Sequence, residues 1–339
     1  MGSTELYTPA VLHLISTNIA RWGNPLGLTD RNCTSWATGL QIPTKGKTIL
    51  YTGCEYQMTP YVQPLRSILK RVKFRDSIFS AFQNIQGFTK TIGVDLTKVY
   101  YTQVAKRERE TYNRLLRMAA LTLSRLDVDF AYLNAELYSG ALLYEYGLFE
   151  EFWRQAQRVV DQFTQAGVKR IITLSPHSAE VFQQVYPKFL DSFDFEVTPY
   201  VCTVADALTK SGKELSLPKP LSVTLHDPCH LARSLSVTEE PREVLRAIRG
   251  LDFKEVASNR QSTVCCGEPC EMIYPELCEL LASKRVRELS DTGAEAAVTL
   301  CPFCHTNLTS GVTLTGKKLR IIDFIEIVYK ALEGDNVRC

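Results

Sequence analysis

Cysteines are concentrated in the last third of this 339-residue chain. Seven of its eleven cysteines lie between Cys229 and Cys304, where an even distribution would place about two or three. Such clustering occurs when sulfurs converge on a disulfide partner, a metal ion or an iron–sulfur cluster. Because a chain of this length can bury a core without covalent crosslinks, the concentration favours a metal or a cluster over a disulfide framework.

Two short motifs within this region help to distinguish a single metal ion from an iron–sulfur cluster. Cys301 and Cys304 form a C-x-x-C pair, in which one turn separates two sulfurs that can face one centre. Cys265 and Cys266 are adjacent, and neighbouring side chains of an extended segment point to opposite sides. A centre with several irons therefore accepts both sulfurs more easily than one tetrahedral ion does, although a four-sulfur zinc site remains the alternative.

Predicted strands lead into these cysteines. The apolar run 296–300 ends at Cys301, and the run 221–225 leads towards Cys229. In open α/β sheets, ligand sites lie beyond the carboxyl ends of the strands, where helix N-termini favour thiolate over thiol. We therefore expect the cysteines to lie at that edge of a parallel sheet.

The complete spacing resembles that of the cysteine-rich CCG domain. Cys265 follows Cys229 by 36 positions, and Cys301 follows Cys266 by 35. This domain occurs in the B and D subunits of heterodisulfide reductases and in the iron–sulfur subunits of glycolate and lactate oxidases. In the reductases, the motif cysteines hold a non-cubane 4Fe–4S cluster. The resemblance implies the same cluster here, with five cysteine ligands: Cys229, Cys265, Cys266, Cys301 and Cys304.

Other cysteines and several histidines flank this motif. Cys278 lies in a predicted helix over 275–289 and is expected to be a core residue. Cys270 falls outside the five-cysteine pattern, and we expect it not to be a ligand. His226, His230 and His305 are close to the ligands in sequence, and we expect hydrogen bonding to sulfur rather than iron binding. His230 and His305 are also candidate proton donors.

The first half of the chain repeats the frame of the motif without most of its sulfurs. Cys54 follows a predicted strand, Ser139 aligns with Cys266, and the Ser-Pro-His-Ser run from Ser175 aligns with that from Cys301. We therefore predict an α/β fold of two related lobes, each a small, mainly parallel sheet flanked by helices, that arose by internal duplication. Because serine hydroxyls do not hold iron–sulfur clusters at this spacing, we expect the first lobe to hold none.

The predicted domain limits follow from this repeat. Polar and proline-bearing composition indicates a linker, and mixed charges indicate a solvated helical insertion. We expect an N-terminal helical extension over 1–47, a degenerate CCG-like lobe over 48–209 with an insertion at about 61–112, a linker over 210–220 and a complete CCG lobe over 221–339.

The composition argues against several classes of partner. A formal net charge of +2 gives no reason to expect nucleic acid or an anionic membrane. No apolar run approaches the roughly 18 residues of a membrane helix, and the first residues lack a secretory signal. We therefore expect no direct membrane insertion and a cytoplasmic location, with any membrane association made through a partner subunit.

The resemblance implies a redox function. We expect an iron–sulfur electron-transfer subunit of a heterodisulfide reductase-like oxidoreductase complex, which relays electrons to a disulfide or another terminal acceptor. No ferredoxin-type cysteine run precedes the motif, so the expected partners are a ferredoxin-type iron–sulfur subunit and a flavoprotein, with a small disulfide or thiol as substrate. Two alternatives stay open: a zinc-stabilised, non-catalytic scaffold subunit, and an iron–sulfur carrier linked to quinone or to a hydroxy-acid oxidase.

Overall fold

Two parallel sheets form the framework of this computed structural model, which describes residues 10–72 and 106–334. The first sheet has the order β1-β2-β3, and the second has the order β5-β4-β6-β7. The strands are β1 (Thr48–Tyr51), β2 (Arg170–Thr173), β3 (Glu196–Pro199), β4 (Leu215–His226), β5 (Ile248–Lys254), β6 (Ala296–Thr299) and β7 (Arg320–Asp323). Every pairing between these strands is parallel, which confirms the predicted α/β class.

Helices of the first lobe flank its sheet. They are α1 (Ala10–Trp22), α2 (Asp30–Thr34), α3 (Glu55–Val72), α4 (Lys106–Arg125), α5 (Ala141–Glu145), α6 (Phe149–Gln165), α7 (Pro176–Glu180), α8 (Tyr186–Phe189) and α9 (Tyr200–Ser211). Helix α6 illustrates how apolar spacing directs one face of a helix towards the core. Its residues Phe152, Ala156, Val159 and Phe163 recur at helical spacing, and all four are buried. A π-helical turn, Val181–Val185, joins α7 to α8.

The second lobe repeats the strand–helix order of the first. Its helices are α10 (Glu239–Ala247), α11 (Pro275–Ser290), α12 (Pro302–Thr315) and α13 (Phe324–Glu333). Helix α7 follows β2 with Ser175 as its N-cap and a proline in the first turn, and α12 follows β6 with Cys301 in the same position. Gly140 and Gly267 adopt similar left-handed conformations, with φ of 84° and 92°. These correspondences are compatible with an internal duplication.

The segment 210–220 differs from the predicted linker. Helix α9 reaches Ser211, and β4 already begins at Leu215, where it pairs with β5. The register of that pairing shifts between Ser216 and Leu221, and two prolines lie within this interval. Because proline cannot donate to a ladder, it is tolerated at such irregularities. The polar, proline-bearing composition therefore marks an irregular strand rather than a linker.

The predicted insertion, 61–112, is described only in part. It contains the end of α3 and the start of α4, and residues 73–105 lie outside the described part of the chain. Among the helices that the structure describes, none has the length and apolar character required to cross a bilayer.

The two lobes share one junction at the carboxyl ends of their strands. Buried residues of both sheets belong to common hydrophobic clusters, and α3 packs against α12. Arg66 of α3 is 3% exposed and donates to Asn307 and Ser310 of α12 at 3.1 and 2.7 Å. The Tyr56 hydroxyl, just after β1, donates to Asp323 Oδ2 at the end of β7 at 3.0 Å. Residues that follow strands of one lobe therefore contact those of the other.

Candidate metal centre at the lobe junction

The five motif cysteines come together beyond the carboxyl ends of β4 and β6, and we call them the thiol site. Cys229 follows β4, and its Sγ lies 3.9 Å from Cys265 Sγ. Cys266 Sγ lies 3.3 Å from Cys304 Sγ, and Cys301, the N-cap residue of α12, hydrogen-bonds Cys304. Cys266, Cys301 and Cys304 are buried, and the other two thiols are partly buried.

A tight turn lets the adjacent cysteines face the same site. Gly267 has φ of +92°, a conformation that side chains disfavour, and a Cβ there would lie 2.9 Å from Cys278 Cα on α11. The Gly267 N–H donates to Cys265 Sγ at 3.3 Å. The chain thus turns against α11 directly after the pair, with Cys265 next to Cys229 and Cys266 next to the C-x-x-C turn.

Within the thiol site, the pKa values move in opposite directions. Hydrogen bonds from neighbouring thiols, first from Cys229, lower the pKa of Cys265. Burial opposes ionisation of Cys301, but hydrogen bonds from Cys304 and His177 outweigh it and hold this pKa well below its ordinary value. The other three pKa values are raised because those thiols hydrogen-bond neighbouring sulfurs and are buried. Ionisation of all five therefore requires a cationic centre among them.

His226 presents a buried hydrogen-bond donor near these sulfurs. Arg285 Nε donates to His226 Nδ1 at 3.0 Å, so the neutral ring carries its proton on Nε2. Burial, together with Arg285, lowers the pKa of His226 to about 3. Within the described part of the chain, Nε2 has no hydrogen-bond partner, and a ring nitrogen lies within 4.8 Å of the Cys266 and Cys304 sulfurs. A sulfur-rich group bound by the thiols would supply the missing acceptor, so the residues fit an iron–sulfur cluster.

The two cysteines outside the motif have different surroundings. Cys278 is fully buried on α11 and accepts from Arg66 Nη1 at 3.5 Å, as expected for a core residue. Cys270 is partly buried in the 3₁₀ turn Glu268–Cys270, and burial raises its pKa. These positions leave the five motif thiols as the set that comes together.

The two candidate proton donors lie in different places. His305 Nδ1 pairs with the Tyr112 hydroxyl at 3.1 Å, and the two rings meet edge to face at 5.9 Å. His230 Nδ1 instead hydrogen-bonds the carboxylate of Glu180, and its ring lies 3.9 Å from that of His177. His230 therefore belongs to a group of ionisable side chains between the lobes, whereas His305 packs against α4.

That group, the junction cluster, consists of Glu145, His177, His230 and Glu268. Each offers one possible ligand atom, and these atoms all lie within 4.8 Å of one another. Burial alone would lower the pKa of His177, but Glu268 and Glu145 raise it well above its ordinary value. The sequence prediction missed both glutamates. Glu268 follows the Cys-Cys-Gly motif directly, which is a local signal, but nothing in the spacing marks Glu145.

A carboxylate occupies the position in the first lobe that corresponds to the thiol site. Glu55 is fully buried, and the hydroxyls of Ser175 and Ser178 donate to its two oxygens. Ser178 Oγ also lies 2.9 Å from Ser139 Oγ, and because its own proton goes to Glu55, it accepts from the Ser139 hydroxyl. Burial raises the pKa of Glu55 to about 7. The serines that align with ligand cysteines thus bind a side chain of their own lobe, which supports the expectation that this lobe holds no cluster.

Cys54, which stands at the start of the degenerate motif, is covalently paired. It forms a disulfide with Cys33 on α2, with a Cα–Cα distance of 5.2 Å. The two cysteines are separated by 21 positions, and their spacing gave no indication of this pairing. The motif sulfur that the first lobe keeps is therefore bonded to Cys33 rather than to the network of Glu55 and the serines.

Comparison with known proteins identifies the segment that carries the thiol site. Residues 223–309 match the family model of the cysteine-rich domain CCG. All five cysteines of the thiol site lie within the matched range. This confirms the resemblance drawn from the cysteine spacing.

Curated relatives extend the similarity beyond this domain. The chain is 26% identical over 332 residues to the probable iron-sulfur-binding oxidoreductase FadF of Bacillus subtilis, covering 95% of this chain and 41% of that protein. It is 28% identical to the D subunit of the dihydromethanophenazine:CoB--CoM heterodisulfide reductase of Methanosarcina barkeri, covering 65% and 56%. It is 26% identical to the EtfAB:quinone oxidoreductase of Syntrophomonas wolfei, covering 71% and 35%. The chain thus spans between 35% and 56% of the length of these relatives.

Proposed function

We propose that this chain is an iron–sulfur electron-transfer subunit of a heterodisulfide reductase-like oxidoreductase complex. The observation that carries the proposal is the convergence of five thiols, including an adjacent pair, on one site. A structural zinc ion takes four ligands and would leave one thiol over. A centre with several irons can use all five. The similarity to iron–sulfur oxidoreductases supports this choice.

In this proposal the thiol site holds one non-cubane 4Fe–4S cluster, which supplies one-electron transfer when bound. Cys229, Cys265, Cys266, Cys301 and Cys304 are its ligands. Arg285 fixes the His226 tautomer, so that Nε2 offers a proton to bound sulfur instead of a lone pair to a metal. That tautomer also argues against zinc bound by His226 with Cys266 and Cys304.

The proposed partners follow from the same relatives. A ferredoxin-type iron–sulfur subunit and a flavoprotein would deliver electrons, and a small disulfide would be the terminal acceptor. Reduction of a disulfide to two thiols consumes two electrons and two protons. We keep His230 and His305 as candidate proton donors, of which His230 is the more exposed, with 17% of its side chain accessible. A cytoplasmic location, with membrane association through a partner subunit, is part of this proposal.

A carrier that passes electrons towards a quinone is the second candidate. The match to the EtfAB:quinone oxidoreductase over 71% of this chain favours it. The two candidates share the thiol site and differ in the final acceptor. Reduced protein offered a disulfide or a quinone analogue under anaerobic conditions would distinguish them by which one reoxidises it.

Cysteine variants purified anaerobically test the ligand set. We expect Cys265→Ser and Cys301→Ser to lose most of their iron and acid-labile sulfide and to change the electron paramagnetic resonance signal of the remainder. Cys202→Ser is the matched control, because Cys202 is a partly buried cysteine on α9 that does not belong to the thiol site. Cys270→Ser should behave like this control. Unchanged iron, sulfide and spectra in both ligand variants would overturn the assignment.

A further inference from the structure

We propose that the junction cluster binds a divalent first-row metal ion at a site distinct from the thiol site. Its four side chains supply two imidazole nitrogens and two carboxylate oxygens, all within 4.8 Å of one another. Imidazole and carboxylate together suit ions such as Zn²⁺ and Fe²⁺, in contrast to the sulfur ligands nearby. The first lobe provides Glu145 and His177, and the second provides His230 and Glu268, so the site is complete only when the lobes are joined.

The orientation of His230 is the first argument. Its Nδ1 pairs with Glu180, a carboxylate outside the cluster. Histidines that bind metals commonly donate their other N–H to a carboxylate, which fixes the ring. His177 lies between the two glutamates, with its Nδ1 2.8 Å from Glu145 Oε1. His177 Nε2 lies 3.4 Å from Glu268 Oε2, and His230 Nε2 lies 3.7 Å from Glu145 Oε1.

Unpartnered carboxylate oxygens are the second, independent argument. Glu268 is 3% exposed, and its Oε2 makes no hydrogen bond to any residue that the structure describes, although His177 Nε2 is close. Glu145 Oε2 is likewise buried without a hydrogen-bond partner among those residues. Buried polar atoms are nearly always hydrogen-bonded or bound to metal, because an unpaired one costs its full desolvation energy. A cation held by the junction cluster would give Glu268 Oε2 the partner that it lacks.

Charge balance distinguishes the proposal from its main competitor. Two carboxylates beside two neutral imidazoles carry two negative charges in a buried junction, which a divalent cation would neutralise. A protonated His177 between Glu145 and Glu268 is the competing solution, and it requires no metal. The two solutions therefore differ in whether the protein takes up an ion. Cys301 also lies close to His177, so an ion bound in the junction cluster would adjoin the thiol site.

Zinc binding to the iron-loaded chain tests the proposal. Protein stripped of loosely bound metal with a chelator is titrated anaerobically with Zn²⁺, and the ligands are read from X-ray absorption at the zinc edge. We expect one zinc ion per chain with nitrogen and oxygen ligands at about 2.0–2.2 Å and no sulfur at about 2.3 Å. Because the zinc edge does not sample iron, the measurement is independent of the cluster.

Two glutamine variants connect this signal to the junction cluster. Glu145→Gln and Glu268→Gln preserve side-chain volume, and each should weaken zinc binding at least about tenfold. Glu136→Gln is the matched control, because Glu136 is a partly buried glutamate of the first lobe whose carboxylate accepts from Thr52 and Gly53 instead. Its zinc affinity should match that of the unchanged chain.

Three results would overturn the proposal: no zinc uptake, sulfur in the zinc shell, or equal affinity in all variants. Iron and acid-labile sulfide are measured in the same samples, so failure of the proposed function is recognised separately. Zinc bound by sulfur in a chain without iron would contradict the cluster. Intact iron without zinc uptake would contradict only the metal site of the junction cluster.

Discussion

Replacing Arg242 with methionine removes the buried ion pair that supports the first ligand. Arg242 is fully buried on α10, and its Nη1 and Nη2 donate to the two oxygens of Asp227 at 2.8 and 2.9 Å. Asp227 is 1% exposed and lies two positions before Cys229. Methionine fills a similar volume but leaves this carboxylate buried without its charged partner. Such a change costs about 3–5 kcal/mol of unfolding free energy.

Asp227 connects the two segments that carry Cys229 and Cys265. Asp227 Oδ2 accepts from the Arg260 N–H at 2.8 Å, and the Asp227 carbonyl accepts from Thr263 Oγ1 at 2.8 Å. Thr263 lies two positions before Cys265. Because the Arg260 N–H still stabilises part of the Asp227 charge, we expect the loss of unfolding free energy to lie near the lower end of this range, at about 3 kcal/mol. We also expect weaker iron retention, since Cys229 and Cys265 lose a common support.

Urea unfolding followed by circular dichroism measures this loss. Arg246→Met is the matched control on the same helix, because the Arg246 side chain is 53% exposed, with Glu255 at 3.5 Å and the Phe253 ring at 5.5 Å. We expect that control to change stability by less than about 1 kcal/mol. Adding Asp227→Asn to Arg242→Met should recover part of the loss, since neither charge then remains buried. Equal losses of unfolding free energy in Arg242→Met and Arg246→Met would refute the reasoning.

Three further predictions concern the turn at Gly267, the Cys33–Cys54 disulfide and the carboxyl group of Glu136. Gly267→Ala should cost about 1–3 kcal/mol more than Gly316→Ala in urea melts, because only the former meets a neighbouring backbone; equal costs would contradict this. In oxidised protein, Cys33→Ser should remove about 3 kcal/mol of stability, the value for a loop closed over 21 positions, and a reductant should abolish the difference. Burial raises the pKa of Glu136 to about 7, so its contribution to stability is fully present below about pH 4.5 and is lost as the pH rises through 7. Glu136→Gln should therefore lose less stability than the unchanged chain between these pH values, and identical pH profiles would count against this assignment.

The parts of the fold that depend on local sequence were predictable. The apolar run before Cys301 became β6, and the C-x-x-C pair lies at the start of α12 because Pro302 suits the first helical turn. The helical segment around Cys278 was also recognised and corresponds to α11. Since strands that lead into cysteines place them at one sheet edge, the convergence of the thiols followed from the same reasoning.

Contacts between distant segments were not predictable. Glu145 contacts His230 only because the two lobes pack at their strand ends, and no sequence periodicity indicates that packing. Glu55 is the first residue of α3, and its role depends on Ser175, which is 120 positions away. The irregular start of β4 was mistaken for a linker because prolines and polar residues occur in both. In each case the determining partner lies far away in the sequence.

Iron and acid-labile sulfide in the anaerobically purified chain, quantified together with X-ray absorption at the iron edge, test the central claim most directly. We expect about four irons and four sulfides per chain, with iron bound by sulfur ligands. The signal should be lost when Cys265 and Cys266 are both replaced by serine. A colourless chain without iron, whose thiol sulfurs bind zinc instead, would contradict the account.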